Sequence, residues 1–138
     1  MIHTVYLGLG SNIGNRKRMI AQAIENINKQ VGVVVRQSAL YETKPWGFES
    51  PNDFINAAIC CETELSPRAL MRKLQSIEQQ MGRVGKTIGE QYQDRVIDID
   101  ILLYDDIKVN EPDLKIPHPY MREREFVMIP LKEIFPTV

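Results

Sequence analysis

A chain of 138 residues, 43% hydrophobic and 25% charged, has the length and balance of one globular domain with its own core. Its formal net charge of −1 excludes a global basic field for nucleic acid, so any hold on phosphate must come from local clusters of cations. No apolar stretch is long enough to span a bilayer, and no charged leader with an apolar run opens the chain.

Thr4 to Leu9 reads as a strand that stops in a glycine-rich turn, Gly8-Leu9-Gly10-Ser11-Asn12-Ile13-Gly14. A helix follows, because Ile20, Ile24, Ile27 and Val31 recur at helical spacing, and Gly32 stands where its stop is expected. Val33 to Tyr41 is rich in β-branched residues and reads as a second strand. Thr43 to Asp53, with two prolines and a glycine, reads as a loop. Phe54 to Glu64 is a third strand. Cys60 and Cys61 are the only cysteines; adjacent on that strand they point to opposite faces, which argues against a mutual disulfide and for a reducing cytoplasm.

Ser66-Pro67 starts a second helix, with serine as cap and proline in the first turn, and Leu70, Leu74, Ile77 and Met81 form its buried stripe. Gly82 to Gln93 is a polar loop with three glycines. Arg95 to Tyr104 is a fourth strand, and Asp105-Asp106 a turn. A short extended stretch, a Pro117-His118-Pro119 corner and a last helix near Glu123 to Ile129 complete the chain. The order predicts an α+β, ferredoxin-like βαββαβ domain spanning 1–138, an antiparallel sheet with helices packed on it.

The fourth strand carries the chemistry. Period-two geometry sets Asp98 and Asp100 on one face and Ile97, Ile99, Ile101 and Leu103 on the other. The two aspartate Cα atoms then lie roughly 6.5–7 Å apart. That spacing suits carboxylates bracketing two divalent cations about 3.5–4 Å apart. Oxygen ligands on rigid backbone, completed by substrate phosphates and water, are what magnesium prefers. An acidic outer strand face is the bland alternative. It loses ground because Arg83, Lys86 and Arg95 lie in or beside the polar loop, while Arg122 and Arg124 follow His118 in its stiff corner. Arginine forks make paired, charge-assisted bonds to phosphate. Strict alternation puts Arg95 on the face opposite the acids, so it must stand at an irregular start of the strand to act with them.

Two glycine motifs mislead. The third glycine of Gly8 to Gly14 falls one residue too late for a dinucleotide-binding turn, and no strand-ending acid follows about 20 residues on. Gly85-Lys86-Thr87 resembles the end of a P-loop, but Gln80 holds the place of the first glycine and a helix precedes it.

Taken together, the chain resembles the 6-hydroxymethyl-7,8-dihydropterin pyrophosphokinases of folate biosynthesis. The matching pieces are Gly8-Leu9-Gly10-Ser11-Asn12, Tyr41 to Gly47, Phe54-Ile55-Asn56-Ala57-Ala58, Gln75 to Arg83, Arg95 to Leu102, and Pro117-His118-Pro119 with Arg124 and Phe126. They stand in family order and cover nearly the whole chain. The resemblance implies transfer of the β,γ-pyrophosphate of ATP to the pterin hydroxymethyl group, with release of AMP. It implies two magnesium ions on Asp98 and Asp100, and Arg83 and Arg95 acting on the phosphates as further catalytic residues. ATP contacts would come from Gln75, Arg83, Lys86, Tyr92, Arg95, Ile101, His118 and Arg124. The pterin would lie against Thr43, Pro45, Trp46 and Asn56, sandwiched between Phe54 and Phe126.

Residue chemistry agrees with this placement: aromatic faces stack on a flat heterocycle, and the Asn56 amide both gives and accepts at its edge. An amide inside an apolar strand must in any case find partners. The chain departs from the family at Gly85, where many members have arginine. It departs again at Tyr92-Gln93-Asp94-Arg95, where Trp-Gly-Pro-Arg is common and Tyr92 takes the tryptophan's place. The partners expected are the two small substrates, with no nucleic acid and no membrane, for a monomer. Two rivals remain. A noncatalytic ferredoxin-like module that binds RNA needs aromatics where this sheet offers acids; an enzyme with the same site and another acceptor alcohol differs only in the pocket.

Overall fold

The structure, a computed structural model, describes residues 1–43, 53–82 and 96–138. The elements in chain order are β1 (His3–Ser11), α1 (Arg16–Gln30), β2 (Gly32–Gln37), β3 (Tyr41–Thr43), β4 (Phe54–Thr63), α2 (Pro67–Gln80), β5 (Asp98–Tyr104), β6 (Val109–Glu111), β7 (Leu114–Ile116), a 3-10 turn (Met121–Glu123) and α3 (Glu125–Ile134). The main sheet is antiparallel, in the order β2-β4-β1-β5, with β3 also paired to β4. This is the ferredoxin-like arrangement that the order of elements predicted.

Alternation along β1 and β4 divides the side chains between two layers. Val5, Leu7 and Leu9 of β1, with Ile55, Ala57, Ile59 and Cys61 of β4, pack with Ile20, Ala23 and Ile27 of α1 and Leu70, Leu74 and Ile77 of α2. Ala58 and Cys60 face the other way, onto Met128, Leu131 and Ile134 of α3. Burial of each large aliphatic side chain contributes about 1.5–3 kcal/mol, so the larger α1/α2 layer supplies most of the core. Asn15 caps α1 by accepting from the Arg18 N–H. Ser66 caps α2 by accepting from the Ala69 N–H, with Pro67 in its first turn as predicted.

The structure differs from the sequence reading in several places. Strand β1 does not stop at Leu9 but runs to Ser11, because Gly8 and Gly10 pair on both sides, with β4 and with β5. Tertiary pairing here overrides a local turn signal. Gly32 is not a left-handed helix stop; it opens β2. A Cβ there would lie 1.9 Å from the Glu62 carbonyl oxygen, so close backbone approach demands glycine. The predicted strand Val33 to Tyr41 is two pieces, β2 and β3, with a register shift between Val34 and Arg36 and a break at Ser38 to Leu40. In that break Ser38 accepts from the Ala58 N–H, which takes over one rung of the ladder.

Strand β5 begins at Asp98, with Val96 and Ile97 outside it and Arg95 beyond the described residues, and it bulges. Tyr6 pairs with Leu103 but Leu7 with Ile101, so Leu102 is the extra residue. The extra residue changes the phase: Leu103 packs against the α3 layer, not with Ile99 and Ile101 as strict alternation predicts. The extended stretch after the turn is the β6–β7 hairpin. The last helix runs Glu125–Ile134, not Glu123 to Ile129, with Pro130 inside it. Proline removes one intrahelical bond, yet the helix continues because Leu131 and Ile134 beyond it are buried against the sheet.

Candidate active site

The site grows out of the α3 face of the sheet. On β4, β1 and β5 the register sets Asn56 opposite Gly10 and Gly10 opposite Asp98. One rung along, Ala58, Gly8 and Asp100 form a parallel row. Asn56 and Asp98 are therefore two strand spacings apart, about 10 Å at the backbone, and what lies between them is glycine. The predicted turn glycines serve instead as a floor without side chains. A Cβ at Gly10 would press on Asn56 Oδ1 at 3.0 Å and touch the Phe54 ring at 3.4 Å, so glycine leaves both side chains undisturbed. Phe54, Asn56, Asp98 and Asp100 thus share one face, with Asp98 and Asp100 together as the period-two argument predicted.

Asn56 is buried, and its Nδ2 donates to Thr43 Oγ1 at 2.6 Å. The amide is thereby oriented by β3, its neighbour on β4's other side. Arg16 braces the same corner: its guanidinium donates to the Asp53 carbonyl at 2.7 Å and lies 3.8 Å from the Glu42 carboxylate. Glu133 of α3 accepts from the Tyr41 hydroxyl and, at 3.0 Å, from the Ala39 N–H. This joins the helix carrying Phe126 to the strand carrying Thr43.

On the other side of the floor, Asp100 has its carboxyl pushed well above the usual range. Burial is the main cause, followed by the charges of Asp98 and Glu78. Arg124 opposes that shift. Arg124 is itself buried at the start of α3, its guanidinium 5.5 Å from the Tyr120 ring centre and 5.7 Å from that of Phe126. Two crowded carboxylates, one held back from ionising by the other, form a site whose charge a divalent cation would balance. Among the described residues no group of three or more His, Cys, Asp or Glu could hold a metal ion. Two carboxylates with the remaining positions left to phosphate and water are a donor set that fits magnesium.

His118 is placed by the bulge: its N–H donates to the Leu102 carbonyl at 3.1 Å on the open edge of β5. Burial first, and then the Arg124 charge, lower its imidazole to about 4, against an opposing pull from Asp98. The ring is therefore neutral at physiological pH. The Tyr120 N–H donates to Nδ1 at 3.4 Å, which leaves the proton on Nε2, available to donate to a phosphate oxygen.

Of the residues singled out in sequence, Thr43, Phe54, Asn56, Asp98, Asp100, His118, Arg124 and Phe126 converge on the α3 side of β4, β1 and β5. Ile101 points to the opposite layer, among the α2 contacts, and Gln75 lies one turn before Glu78 on α2, the helix packed against β5. Pro45, Trp46, Arg83, Lys86, Tyr92 and Arg95 lie outside the described residues. Sequence reasoning missed Glu78, which is buried and whose Oε2 accepts from the Ile99 N–H at 2.8 Å. The signal was present: the row Leu70, Leu74 continues at the same spacing to Glu78, an acid in a buried stripe.

Residues 6–136 match the family model "7,8-dihydro-6-hydroxymethylpterin-pyrophosphokinase (HPPK)". The chain is similar to the 2-amino-4-hydroxy-6-hydroxymethyldihydropteridine pyrophosphokinase of Porphyromonas gingivalis, 46% identical over 96% of this chain and 90% of that protein. It is equally similar to the enzyme of the same name from Methylorubrum extorquens, 46% identical over 96% of this chain and 83% of that one. In fold it resembles the crystal structure of Plasmodium falciparum HPPK-DHPS wild type with pterin and p-hydroxybenzoate, at a TM-score of 0.74 and 16% identity. That match covers 96% of this chain and 38% of the longer one, so this chain spans about two fifths of that protein. The chain belongs to the 7,8-dihydro-6-hydroxymethylpterin-pyrophosphokinase family.

Proposed function

We propose that this protein carries out its family's pyrophosphoryl transfer, from ATP to 6-hydroxymethyl-7,8-dihydropterin in folate biosynthesis, with the two substrates laid side by side across the Gly10 floor. The observation that carries this reading is the Asn56–Gly10–Asp98 row: an oriented amide for a heterocycle's edge on one strand, a pair of carboxylates for a metal–phosphate complex two strands away.

In this reading the pterin edge bonds to Asn56 and Thr43, and its plane lies between Phe54 and Phe126, with Pro45 and Trp46 completing the pocket. Asp98 and Asp100 would hold two magnesium ions, which would neutralise phosphate charge. Arg124 and neutral His118 donate to ATP phosphates, joined by Arg83, Lys86, Tyr92 and Arg95; Gln75 and Ile101, whose side chain faces the α2 layer, are assigned to the nucleotide on the family resemblance alone. The pterin hydroxyl oxygen bonds to the β-phosphorus as the bond to the α-phosphate oxygen breaks. AMP leaves in line, and the hydroxyl proton passes to solvent. No general base is required, because positioning and charge neutralisation provide the acceleration.

We take the 138 residues to form one working domain, a monomer in the cytoplasm. Cys60 and Cys61 are both free and buried, in keeping with a reducing compartment. No helix among the described residues is long and apolar enough to cross a membrane.

The test is to incubate the protein with ATP, magnesium and hydroxymethyl-dihydropterin and to follow the nucleotide product. AMP is expected, with no turnover when chelator removes the divalent ion. ADP instead of AMP contradicts pyrophosphoryl transfer; undiminished turnover in chelator contradicts the metal assignment.

A further inference from the structure

Among the described strands β5 is an edge of the main sheet, paired with β1 and with no strand on its other side. Its free edge would present unpaired amides and carbonyls beside the aspartate pair, and an unpaired edge is free to fray or slip. Two groups close that edge. The Glu78 carboxylate, buried at the end of α2, takes the Ile99 N–H at 2.8 Å. The His118 N–H binds the Leu102 carbonyl at 3.1 Å. Ile99 is the residue between Asp98 and Asp100. Because its N–H goes to Glu78, Ile99 stands opposite Leu9 at a rung where that N–H does not bond to β1.

We propose that Glu78 is a positioning residue for the reaction: by accepting the Ile99 N–H it fixes the backbone between Asp98 and Asp100, and so the separation and direction of the two carboxylates. Its Oε2 meets the backbone from the helix side of β5, so this bond acts on the reaction through the aspartates. A carboxylate is a strong acceptor for an amide in a buried setting. A buried acid in an apolar helix stripe is costly unless such a bond is made. The role of Glu78 rests on the assignment of Asp98 and Asp100 to the metal–phosphate complex, and the experiment separates the two.

Two variants divide reach from charge. Glu78→Gln keeps an oxygen at the same distance from the Ile99 N–H and removes the charge. Glu78→Asp keeps the charge and withdraws the oxygen by about one carbon–carbon bond, beyond hydrogen-bond range. The first readout is hydrogen–deuterium exchange at the Ile99 amide in the metal-free protein. The second is the magnesium concentration that gives half-maximal AMP release. The third is the dissociation constant for hydroxymethyl-dihydropterin, which a general loosening of the fold would also move.

Glu78→Asp is expected to speed Ile99 exchange at least about tenfold and to raise the magnesium requirement about 10- to 100-fold, with pterin affinity within about twofold of the parent. Glu78→Gln is expected to hold all three within about threefold. The proposal is overturned if Glu78→Asp keeps the parent's exchange and magnesium requirement, or if Glu78→Gln loses as much as Glu78→Asp, since charge and not the backbone bond would then matter. A drop in pterin affinity matching the change in magnesium requirement also overturns it. Should Glu78→Asp fail to fold, Glu78→Met, similar in length and without an oxygen acceptor, takes its place beside Glu78→Gln under the same limits. A parent enzyme indifferent to magnesium would sink the metal assignment, and the exchange measurement would still judge the backbone clamp.

Discussion

The two faces of the sheet draw on the same strands for opposite ends. Towards α1 and α2, alternate residues of β1 and β4 are Val5, Leu7, Leu9, Ile55, Ala57 and Ile59, all but sealed from solvent. Towards α3, the intervening residues of the same strands are Gly8, Gly10, Phe54, Asn56 and Ala58, joined by Asp98 and Asp100 of β5. One face is filled and the other is left open where substrates must approach. A sheet can bear a site of small and polar residues because its stability comes from the other side, and substitutions on the two faces should therefore fail in different ways.

The largest effect is expected on the open face. Asp98→Ala should lower AMP formation at least about 100-fold while leaving thermal stability near the parent's, since it removes charge stabilisation and not packing. Steady-state kinetics beside a melting curve checks both parts. On the filled face, Leu7→Ala should cost about 3–4 kcal/mol of unfolding free energy by leaving a cavity. Its kcat per folded molecule should stay within about twofold. Urea titration measures the first and active-site-normalised kinetics the second; equal damage to kcat would dissolve the distinction between the faces.

A further effect follows from His118. Its imidazole is held near 4 in the fold, against about 6.5 in an unfolded chain. Between those values the unfolded chain binds a proton that the folded one does not, so stability falls as pH is lowered through about 6.5 to 4. The loss is about 3–4 kcal/mol, fully absent above the window. Denaturant titration of the metal-free protein at several pH values, repeated on His118→Phe, should show that slope reduced in the variant. The smallest effect is Gly10→Ala: the added methyl presses on Asn56 Oδ1 and the Phe54 ring. About a tenfold weaker hold on the pterin is expected, roughly 1.4 kcal/mol, with the magnesium requirement unmoved. Calorimetry with the pterin alone reads it.

Much of this was legible in the sequence, for identifiable reasons. The helices of the filled face announce themselves by periodicity, and the Ser66-Pro67 start of α2 by cap chemistry. Asp98 and Asp100 share a face because strands alternate, whatever the tertiary context. Pairing between distant strands was not legible. Gly8 and Gly10 look like a turn until β4 and β5 are seen to flank them, and Leu103 changes layer only because Leu102 is an extra residue against β1. The role of Glu78 was hidden for the same reason: the free edge of β5 becomes visible only with the strand order.

The Asn56–Gly10–Asp98 row carries the central claim, that one face holds the pterin and the metal–phosphate complex as neighbouring but separate halves. The most direct test is hydroxymethyl-dihydropterin affinity, measured by calorimetry on Asn56→Ala and Asp98→Ala side by side. The account predicts that Asn56→Ala weakens pterin binding at least about tenfold, since a buried bonding group is lost, and that Asp98→Ala leaves it within about twofold. Equal weakening in both variants, or none in Asn56→Ala, would contradict it.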